Sequence, residues 1–518
     1  MDLARKTVEA WPQLAWLARC DIGNRVVSVR HGSRVEHHEN WICEAVWDGP
    51  FGSGDFDVTD IVFGSGVRCR DEAAVFVSAS APVDRLHVLR DESGAWVSNS
   101  LPCLLAAAGA RLDPAGCDYM AILRSVGKGL EWARRPLPST AGEVELIYHD
   151  NLRWDGRSLV RVPKPHPVRD FGTFERFVGF LDAALEALAE NLSSAARRCP
   201  YRMLGTLSSG YDSTAVAALA CRHGLEEAVT FDEGVASIDR LDEPKADTGA
   251  EIGRHLGLRV EEIPSDAWRR VGPDAAIPFL AGDGNGMLAL FAGAEARLSG
   301  RVLLTGLAGD AFWDGRNRPS RGTFDLHGAP GGLSLSEYRL RTGFIHVPMP
   351  YVGAVQVDDL LRLSRSEEMR PWSVGGGYDR PVCRRIVEEA GVPRQLFGMS
   401  KKGARVRLSE RATFWSSAFV HDYLDWLRGE RASWWSRGRI PPDWVSKAAN
   451  PVQDLLRSVV GLLRQRLGVP VRRIYVTRRL EYMASRESLY RYLFPWAVDR
   501  CRSSYASAEG GERGGTRD

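Results

Sequence analysis

Residues 204–220, LGTLSSGYDSTAVAALA, join an apolar run to a helix of small residues through a turn that is rich in hydroxyl groups. Gly210 permits the tight turn that this change of direction requires. The free N–H groups of the following helix start, with the hydroxyls of Ser208, Ser209 and Ser213, can hold a phosphate or pyrophosphate. Serine and aspartate at a helix start are also typical of simple capping, so both interpretations stay open on this stretch alone.

The surrounding sequence alternates between strand and helix patterns. Residues 173–196 have apolar positions near helical spacing and predict a long helix. After it come, in chain order, RMLGTL (strand), STAVAALACRHG (helix), EAVTF (strand), KADTGAEIGRHLG (helix), LRVEEIP (strand), MLALFAGAEARLSG (helix) and RVLLTG (strand). This alternation predicts a doubly wound α/β domain with a parallel sheet, in which ligands bind beyond the carboxyl ends of the strands.

A second polar loop follows the RVLL strand. It reads TGLAGD over residues 305–310 and ends in Asp310. In the first loop, Asp212 would repel a phosphate unless a cation lay between them. Mg²⁺ is the expected cation for an all-oxygen site that includes phosphates, and Asp310 could supply a second ligand to it. The two aspartates therefore predict one shared metal site.

Three ordered motifs resemble one known family. LSSGYDST is similar to the PP-loop signature of the ATP-pyrophosphatases, and TGLAGDAFWDG resembles the second loop of the asparagine synthetase group. Residues 378–405, YDRPVCRRIVEEAGVPRQLFGMSKKGAR, look like the C-terminal part of the same synthetase domain. The resemblance implies a domain that binds ATP and Mg²⁺, transfers AMP to a carboxylate, releases pyrophosphate and lets an amine displace AMP.

The resemblance also implies roles for individual residues. Asp212 and Asp310 would hold the metal, and Asp310 with Lys401 or Lys402 would act at the reaction centre. Lysine would neutralise charge on the phosphates and on the adduct; the K-x-G spacing favours Lys401, and adjacency to Gly403 keeps Lys402 open. A solvated basic turn is the alternative for the lysine pair. The residues that would bind the nucleotide are Thr206, Ser208, Ser209, Gly210, Asp212, Ser213, Thr230, Phe231, Thr305 and Gly306.

The chain departs from the family pattern at three positions in the two loops. Ser209 stands where the PP-loop has a glycine, and Ala308 also replaces a glycine. Leu307 stands where glutamine-dependent asparagine synthetases have a glutamate, and leucine cannot accept a proton from an incoming nitrogen. Ser209 adds bulk where the phosphate meets bare backbone, and Leu307 argues against plain asparagine synthesis.

Residues 1–165 carry short apolar or alternating runs, such as AAVFVSAS (73–80), DRLHVLR (84–90) and GEVELIYH (142–149). They predict a strand-rich domain, and residues 76–107 are loosely similar to the sandwich of the glutaminase domain (Ntn type). The family's glutaminase nucleophile is a cysteine next to the initiator methionine, but here Asp2 follows Met1 and the first cysteine is Cys20. We therefore expect a degenerate glutaminase-like domain, as in β-lactam synthetases and lasso peptide cyclases. The alternative is processing that makes Cys20 terminal.

The remaining organisation follows from composition. VRVPKPHPVRDFG (160–172) predicts a linker, residues 170–420 the synthetase domain, residues 421–505 a helical extension, and residues 506–518 a disordered tail. In the extension, a leucine-rich stretch carries a run of arginines that favours a solvated helix face. The alternative is an amphipathic helix that lies on an anionic membrane or docks an acidic carrier protein. These arginines are residues 457, 464, 466, 472, 473, 478 and 479.

Charge and cysteine usage exclude other classes. The formal net charge of +2 does not suggest a nucleic-acid binder, and the nine scattered cysteines suggest reduced thiols in the cytoplasm. No apolar run is long enough for a signal peptide or a membrane span.

The sequence thus predicts an AMP-forming amide ligase with ATP and Mg²⁺ as cofactors and a small-molecule or peptide carboxylate and amine as substrates. Two alternatives remain: an amidotransferase that takes ammonia from a partner glutaminase, and a nucleotide-binding protein whose catalysis has lapsed.

Overall fold

The computed structural model describes residues 1–113, 117–236, 244–272, 275–313, 322–326, 332–403, 405–406, 417–435, 455 and 492–506. Within them, mixed α/β architecture combines two N-terminal sheets with a separate parallel sheet. None of the helices in these ranges is long and apolar enough to cross a membrane.

The N-terminal part is a sandwich of two sheets. Its strands are β1 (Asp2–Thr7), β2 (Trp16–Asp21), β3 (Val26–His31), β4 (Glu36–His38), β5 (Trp41–Trp47), β6 (Val62–Arg70), β7 (Ala73–Val77), β8 (Leu86–Asp91), β9 (Gly94–Ser98), β10 (Pro136–Ser139), β11 (Gly142–Ile147), β12 (Asn151–Trp154) and β13 (Leu159–Val162). One sheet has the order β1-β3-β2-β9-β8-β11-β10 and the other β13-β12-β7-β6-β5-β4. Alternate side chains from both, including Trp16, Val88, Phe76 and Leu152, pack into one buried cluster.

The second part is built on strands that follow the long helix. They are β14 (Arg202–Leu207), β15 (Glu227–Phe231), β16 (Glu233–Ala236), β17 (Pro244–Ala246), β18 (Arg259–Ile263), β19 (Arg301–Thr305), β20 (Ile345–Pro348) and β21 (Lys402–Gly403). Five of them form a sheet in the order β18-β15-β14-β19-β20, in which every neighbouring pair is parallel. A separate, small antiparallel sheet has the strand order β17-β16-β21.

Helices cover the parallel sheet on both faces. The helices of the chain are α1 (Leu101–Ala107), α2 (Tyr119–Leu123), α3 (Phe174–Ser193), α4 (Tyr211–Cys221), α5 (Ala250–His255), α6 (Ile277–Asp283), α7 (Glu295–Leu298), α8 (Gly309–Phe312), α9 (Ser336–Thr342), α10 (Val357–Ser364), α11 (Pro381–Glu389), α12 (Ser417–Trp435) and α13 (Leu493–Ala506). Successive residues of β19 join different clusters: Leu303 packs with α6 and α13, and Val302 with α3 and α4. Burial on both faces explains why these strands read as continuous apolar runs.

Two predicted helices differ from the structure. The stretch KADTGAEIGRHLG begins in strand β17, and α5 starts only at Ala250. Gly249 precedes that helix and packs against β14, because a Cβ there would lie 2.6 Å from Leu207 Cβ. In MLALFAGAEARLSG, residues Ala289–Ala294 form a 3₁₀ helix before the short α7. Tertiary contacts, rather than helical periodicity, set both boundaries.

The predicted linker and C-terminal extension also have a more specific structure. Residues 160–162 belong to β13, and Lys164 is buried against the sandwich, where it donates to Asn151 Oδ1 at 2.6 Å. Helix α13 lies between α1 and α6, with Phe494 and Trp496 fully buried. The basic stretch at 456–491 and the tail at 507–518 lie outside the described residues.

A buried ion-pair network joins the sandwich to the second part. Arg339, on α9, binds Glu44 of β5 with Nη1 at 2.6 Å, and its Nε lies 2.8 Å from an Asp84 oxygen. Ser65 donates its hydroxyl to Glu44 at 2.5 Å, and Glu44 is fully buried. Burial raises the pKa of Glu44 above its ordinary value, although the Arg339 charge opposes that rise. The two parts are therefore held together by charges that have left water as a pair.

Candidate active site

The strand order of the parallel sheet reverses between β14 and β19. The chain leaves β14 toward β15 and β18 on one side, and continues from β19 to β20 on the other. Loops that leave two adjacent parallel strands in opposite directions open a crevice at their carboxyl ends. A cavity of about 220 Å³ lies there and is lined by residues from both loops.

The loop after β14 folds back on itself. Gly210 donates its N–H to Ser208 Oγ at 3.1 Å, and the hydroxyls of Ser208 and Ser213 lie 2.8 Å apart. Helix α4 begins at Tyr211, with Gly210 as its N-cap residue, and a glycine has no side chain that could cap the helix. The N–H of Tyr211 is instead donated to the Tyr378 hydroxyl at 3.5 Å. The predicted capping role of the serines and of Asp212 is therefore not observed in the described contacts. The positive end of the helix dipole faces this loop.

The second loop contacts the first so closely that two glycines are required. A Cβ at Gly306 would lie 2.4 Å from both the carbonyl carbon of Asp212 and the backbone nitrogen of Ser213. A Cβ at Gly309 would lie 2.5 Å from Asp212 Cγ. Neither glycine has a left-handed backbone, so the requirement is for space. Between them, Ala308 does take a left-handed φ of 69°, where glycine is favoured.

Asp212 and Asp310 face the same arginine. Arg380, the residue before α11, hydrogen-bonds Asp212 Oδ1 through Nη1, and its Nη2 lies 4.0 Å from Asp310 Oδ2. The Arg380 side chain is 2% exposed, whereas that of Asp310 is 52% exposed. Desolvation raises the pKa of Asp310, but Lys401 and Arg380 more than offset it, so that this pKa is lowered overall. Both carboxylates thus lie beside one guanidinium, Asp212 in a hydrogen bond and Asp310 at 4.0 Å.

The two lysines have different partners. Lys401 Nζ lies 3.1 Å from Asp310 Oδ2, on the side of the second loop. Lys402 belongs to β21 and donates to Ser209 Oγ at 3.2 Å and to the Ala246 carbonyl at 2.6 Å. Both line the cavity, so a cation stands at each loop.

Most of the residues predicted from the sequence line the same cavity. These are Thr206, Ser208, Gly210, Asp212, Ser213, Phe231, Thr305, Gly306, Lys401 and Lys402. Three others, Thr230, Asp310 and Ser209, are not among the residues that line it. Thr230 is fully buried and accepts the N–H of Gly249 at 2.8 Å, and Asp310 pairs with Lys401. Ser209 donates its hydroxyl to Asp247 Oδ1 at 2.7 Å, so its extra bulk is turned away from the cavity.

Sequence reasoning missed four residues of the site: Asp247, His346, Tyr378 and Arg380. Asp247 lies in a stretch whose pattern predicts a helix, so no local signal identified it. Tyr378 and Arg380 lie within the quoted 378–405 segment, where an arginine directly before a helix-starting proline was the available signal.

His346 belongs to β20 and lines the cavity. Its Nε2 lies 2.9 Å from Thr305 Oγ1, and burial lowers its pKa to about 4. The imidazole is therefore neutral near neutral pH and positions the Thr305 hydroxyl.

The wall away from the charged groups is apolar. Leu288, Leu290, Phe291 and Phe231 line it, and the Phe231 and Phe291 rings meet edge to face with centroids 5.4 Å apart. Leu307 also lines the cavity, at the position where the family pattern has a glutamate. Such a surface suits a flat aromatic group better than a second charged one.

Within the described ranges, no group of three or more His, Cys, Asp or Glu side chains could hold a metal ion. Asp212 and Asp310 nevertheless provide carboxylate oxygens beside the cavity, and carboxylates are the protein ligands that Mg²⁺ uses when phosphates complete its shell. Comparison of the sequence with protein-family models finds no match, and no curated protein matches it significantly.

Proposed function

We propose that this chain is an ATP-dependent, AMP-forming amide ligase of the asparagine synthetase-like PP-loop type. It would adenylate a carboxylate, release pyrophosphate and pass the acyl group to an amine. The observation that carries the proposal is the cavity at the strand-order reversal, which is lined by residues of both loops together with Asp212, Lys401 and Lys402, and beside which Asp310 pairs with Lys401. The motif resemblances of the sequence support the same reading.

In this proposal the first loop binds the pyrophosphate end of ATP. The hydroxyls of Ser208 and Ser213 and the N-terminal N–H groups of α4 would donate to phosphate oxygens. Lys401 and Lys402, one on each side, would balance the negative charge as it shifts toward the leaving pyrophosphate. The base would lie against Phe231 and Phe291 on the apolar wall.

Asp212 and Asp310 would be the protein ligands of Mg²⁺, whose charge would make the phosphates compatible with an acidic loop. Their fit rests on both carboxylates lying against one guanidinium at the cavity. Lys401 would keep Asp310 ionised and oriented.

The proposed N-terminal domain would not hydrolyse glutamine by a cysteine nucleophile. Cys20 lies in β2 within the sandwich core, and burial raises the pKa of its thiol well above the ordinary value. Making Cys20 terminal would remove β1, which pairs with β3, and most of β2, which lies between β3 and β9. We therefore propose that the amine comes from the substrate or from a separate protein.

The test is to identify the products formed from ATP and Mg²⁺ with a panel of carboxylic acids and amines. AMP and pyrophosphate are expected, whereas ADP and phosphate would refute adenylation. Incubation with amide-labelled glutamine should leave the label in glutamine; release of glutamate by the chain alone would contradict the proposed nitrogen source.

Two variants test the site itself. Asp212→Asn and Asp310→Asn should each abolish AMP formation, because each removes a proposed metal ligand. Asp182→Asn is the matched control, since Asp182 pairs with Arg222 and His223 away from the cavity. A near-full rate in either site variant would overturn the shared-metal assignment.

A further inference from the structure

Arg380 occupies the position between the two aspartates. Its guanidinium bonds Asp212 with one terminal nitrogen and approaches Asp310 with the other, as described above. The side chain is 2% exposed, so this charge has been removed from water and depends on the carboxylates for compensation.

The position of Arg380 is fixed by its own surroundings. It directly precedes Pro381, which starts α11, and its guanidinium carbon lies 5.2 Å from the centre of the Tyr378 ring. Helix α11 packs on α4, the helix that carries Asp212. The arginine therefore reaches Asp212 from the residue next to a helix that packs on α4.

Under the proposed function, the same carboxylates must take up a divalent cation. A guanidinium already paired with Asp212 competes with that cation for the same oxygens, because both require the full negative charge at short range. It also provides positive charge for a phosphate that arrives without metal.

We infer that Arg380 is a resident counter-cation that holds Asp212 and Asp310 together before nucleotide binds and that sets the Mg²⁺ concentration at which the site fills. This inference rests on the proposed function for its metal. Arg380 is a positioning residue, because it acts through the two aspartates.

The inference predicts opposite changes for two probes, Mg²⁺ alone and inorganic pyrophosphate alone, each titrated calorimetrically into the full chain. Arg380→Met should bind Mg²⁺ about tenfold more tightly, since its competitor is gone, and metal-free pyrophosphate about tenfold more weakly, since a cation is lost. Arg380→Lys, which keeps the charge, should shift both affinities back toward those of the unmodified chain.

Arg384→Gln is the matched control. Arg384 is another buried arginine on α11, but it bonds the Tyr211 hydroxyl and Glu388 rather than an aspartate of the site. It should leave Mg²⁺ affinity unchanged. If Arg380→Met loses structure generally, it will bind both Mg²⁺ and pyrophosphate more weakly, and that result would overturn the inference. An unchanged or weaker Mg²⁺ affinity would overturn it as well.

The Mg²⁺ arm contains no nucleotide, so the two proposals can fail separately. If ATP yields no AMP while Arg380→Met still binds Mg²⁺ more tightly, the ligase is refuted and the role of Arg380 stands. If AMP forms but Arg380→Met does not bind Mg²⁺ more tightly, only the inference about Arg380 is refuted.

Discussion

Gly306→Ala should push the two loops of the site apart. The added Cβ would meet the backbone of Asp212 and Ser213 at 2.4 Å, whereas ordinary contact begins at 3.4 Å. Backbone cannot rotate away as a side chain can, so the loops must separate by about 1 Å, at a cost of about 1–3 kcal/mol. Because Gly306 is not in the left-handed region, the whole effect is steric.

The measurement is the thermal unfolding midpoint together with calorimetric binding of pyrophosphate in the presence of Mg²⁺. The midpoint should fall by several degrees, and binding should weaken because the anion donors and Asp310 no longer face one point. Gly403→Ala is the control, since Gly403 also lines the cavity but its added Cβ meets nothing within 4 Å. If both variants unfold at the same temperature and bind equally, the close approach of the loops is not what holds the site together.

Three further predictions concern stability. Burial lowers the pKa of Lys164 from 10.5 to about 7, so the folded chain loses this proton first, and stability should rise between about pH 7 and about pH 10; Lys164→Met should flatten that rise in unfolding midpoints, and an unchanged slope would contradict the assignment. Glu44→Ala leaves buried Arg339 without one of its partners and should cost about 3–5 kcal/mol in denaturant unfolding, against about 0–1 kcal/mol for the exposed Glu72→Ala. Ala308→Gly should raise stability by up to about 1 kcal/mol, because glycine relieves the left-handed φ of 69°; a clear loss of stability in the same assay would refute strain at this position.

The strands of the parallel sheet could be predicted because each is buried on both faces. EAVTF is strand β15 and RMLGTL is β14, with the bounds that the sequence predicts. The helix predicted over KADTGAEIGRHLG was wrong at its start. Its first residues form β17, which pairs with β16, and Gly249 lies so close to Leu207 of β14 that there is no room for a side chain. Local pattern contains neither constraint, since both depend on residues brought close by the fold.

Several of the site residues that the sequence predicts line one cavity in the structure. The sequence identified the two loops because hydroxyls, glycines and aspartates follow apolar runs, and parallel strands place such loops at one edge of a sheet. It could not distinguish Lys401 from Lys402, whose separate partners depend on the pairing of β21 with β16. Asp247 and His346 were missed because each reaches the cavity through an element whose position no local pattern specifies.

By itself, the sequence determined the alternation of strands and helices, the two aspartate-bearing loops and the close-packing glycines, because these depend on backbone freedom and on burial of neighbouring residues. The tertiary structure alone decided that α13, from the far end of the chain, packs between α1 and α6, that Glu44 and Arg339 join the two parts, and that Arg380 lies between Asp212 and Asp310. The reason is that burial and charge pairing are properties of groups in space: residues 168 positions apart acquire a shared energy only when folding excludes water from between them.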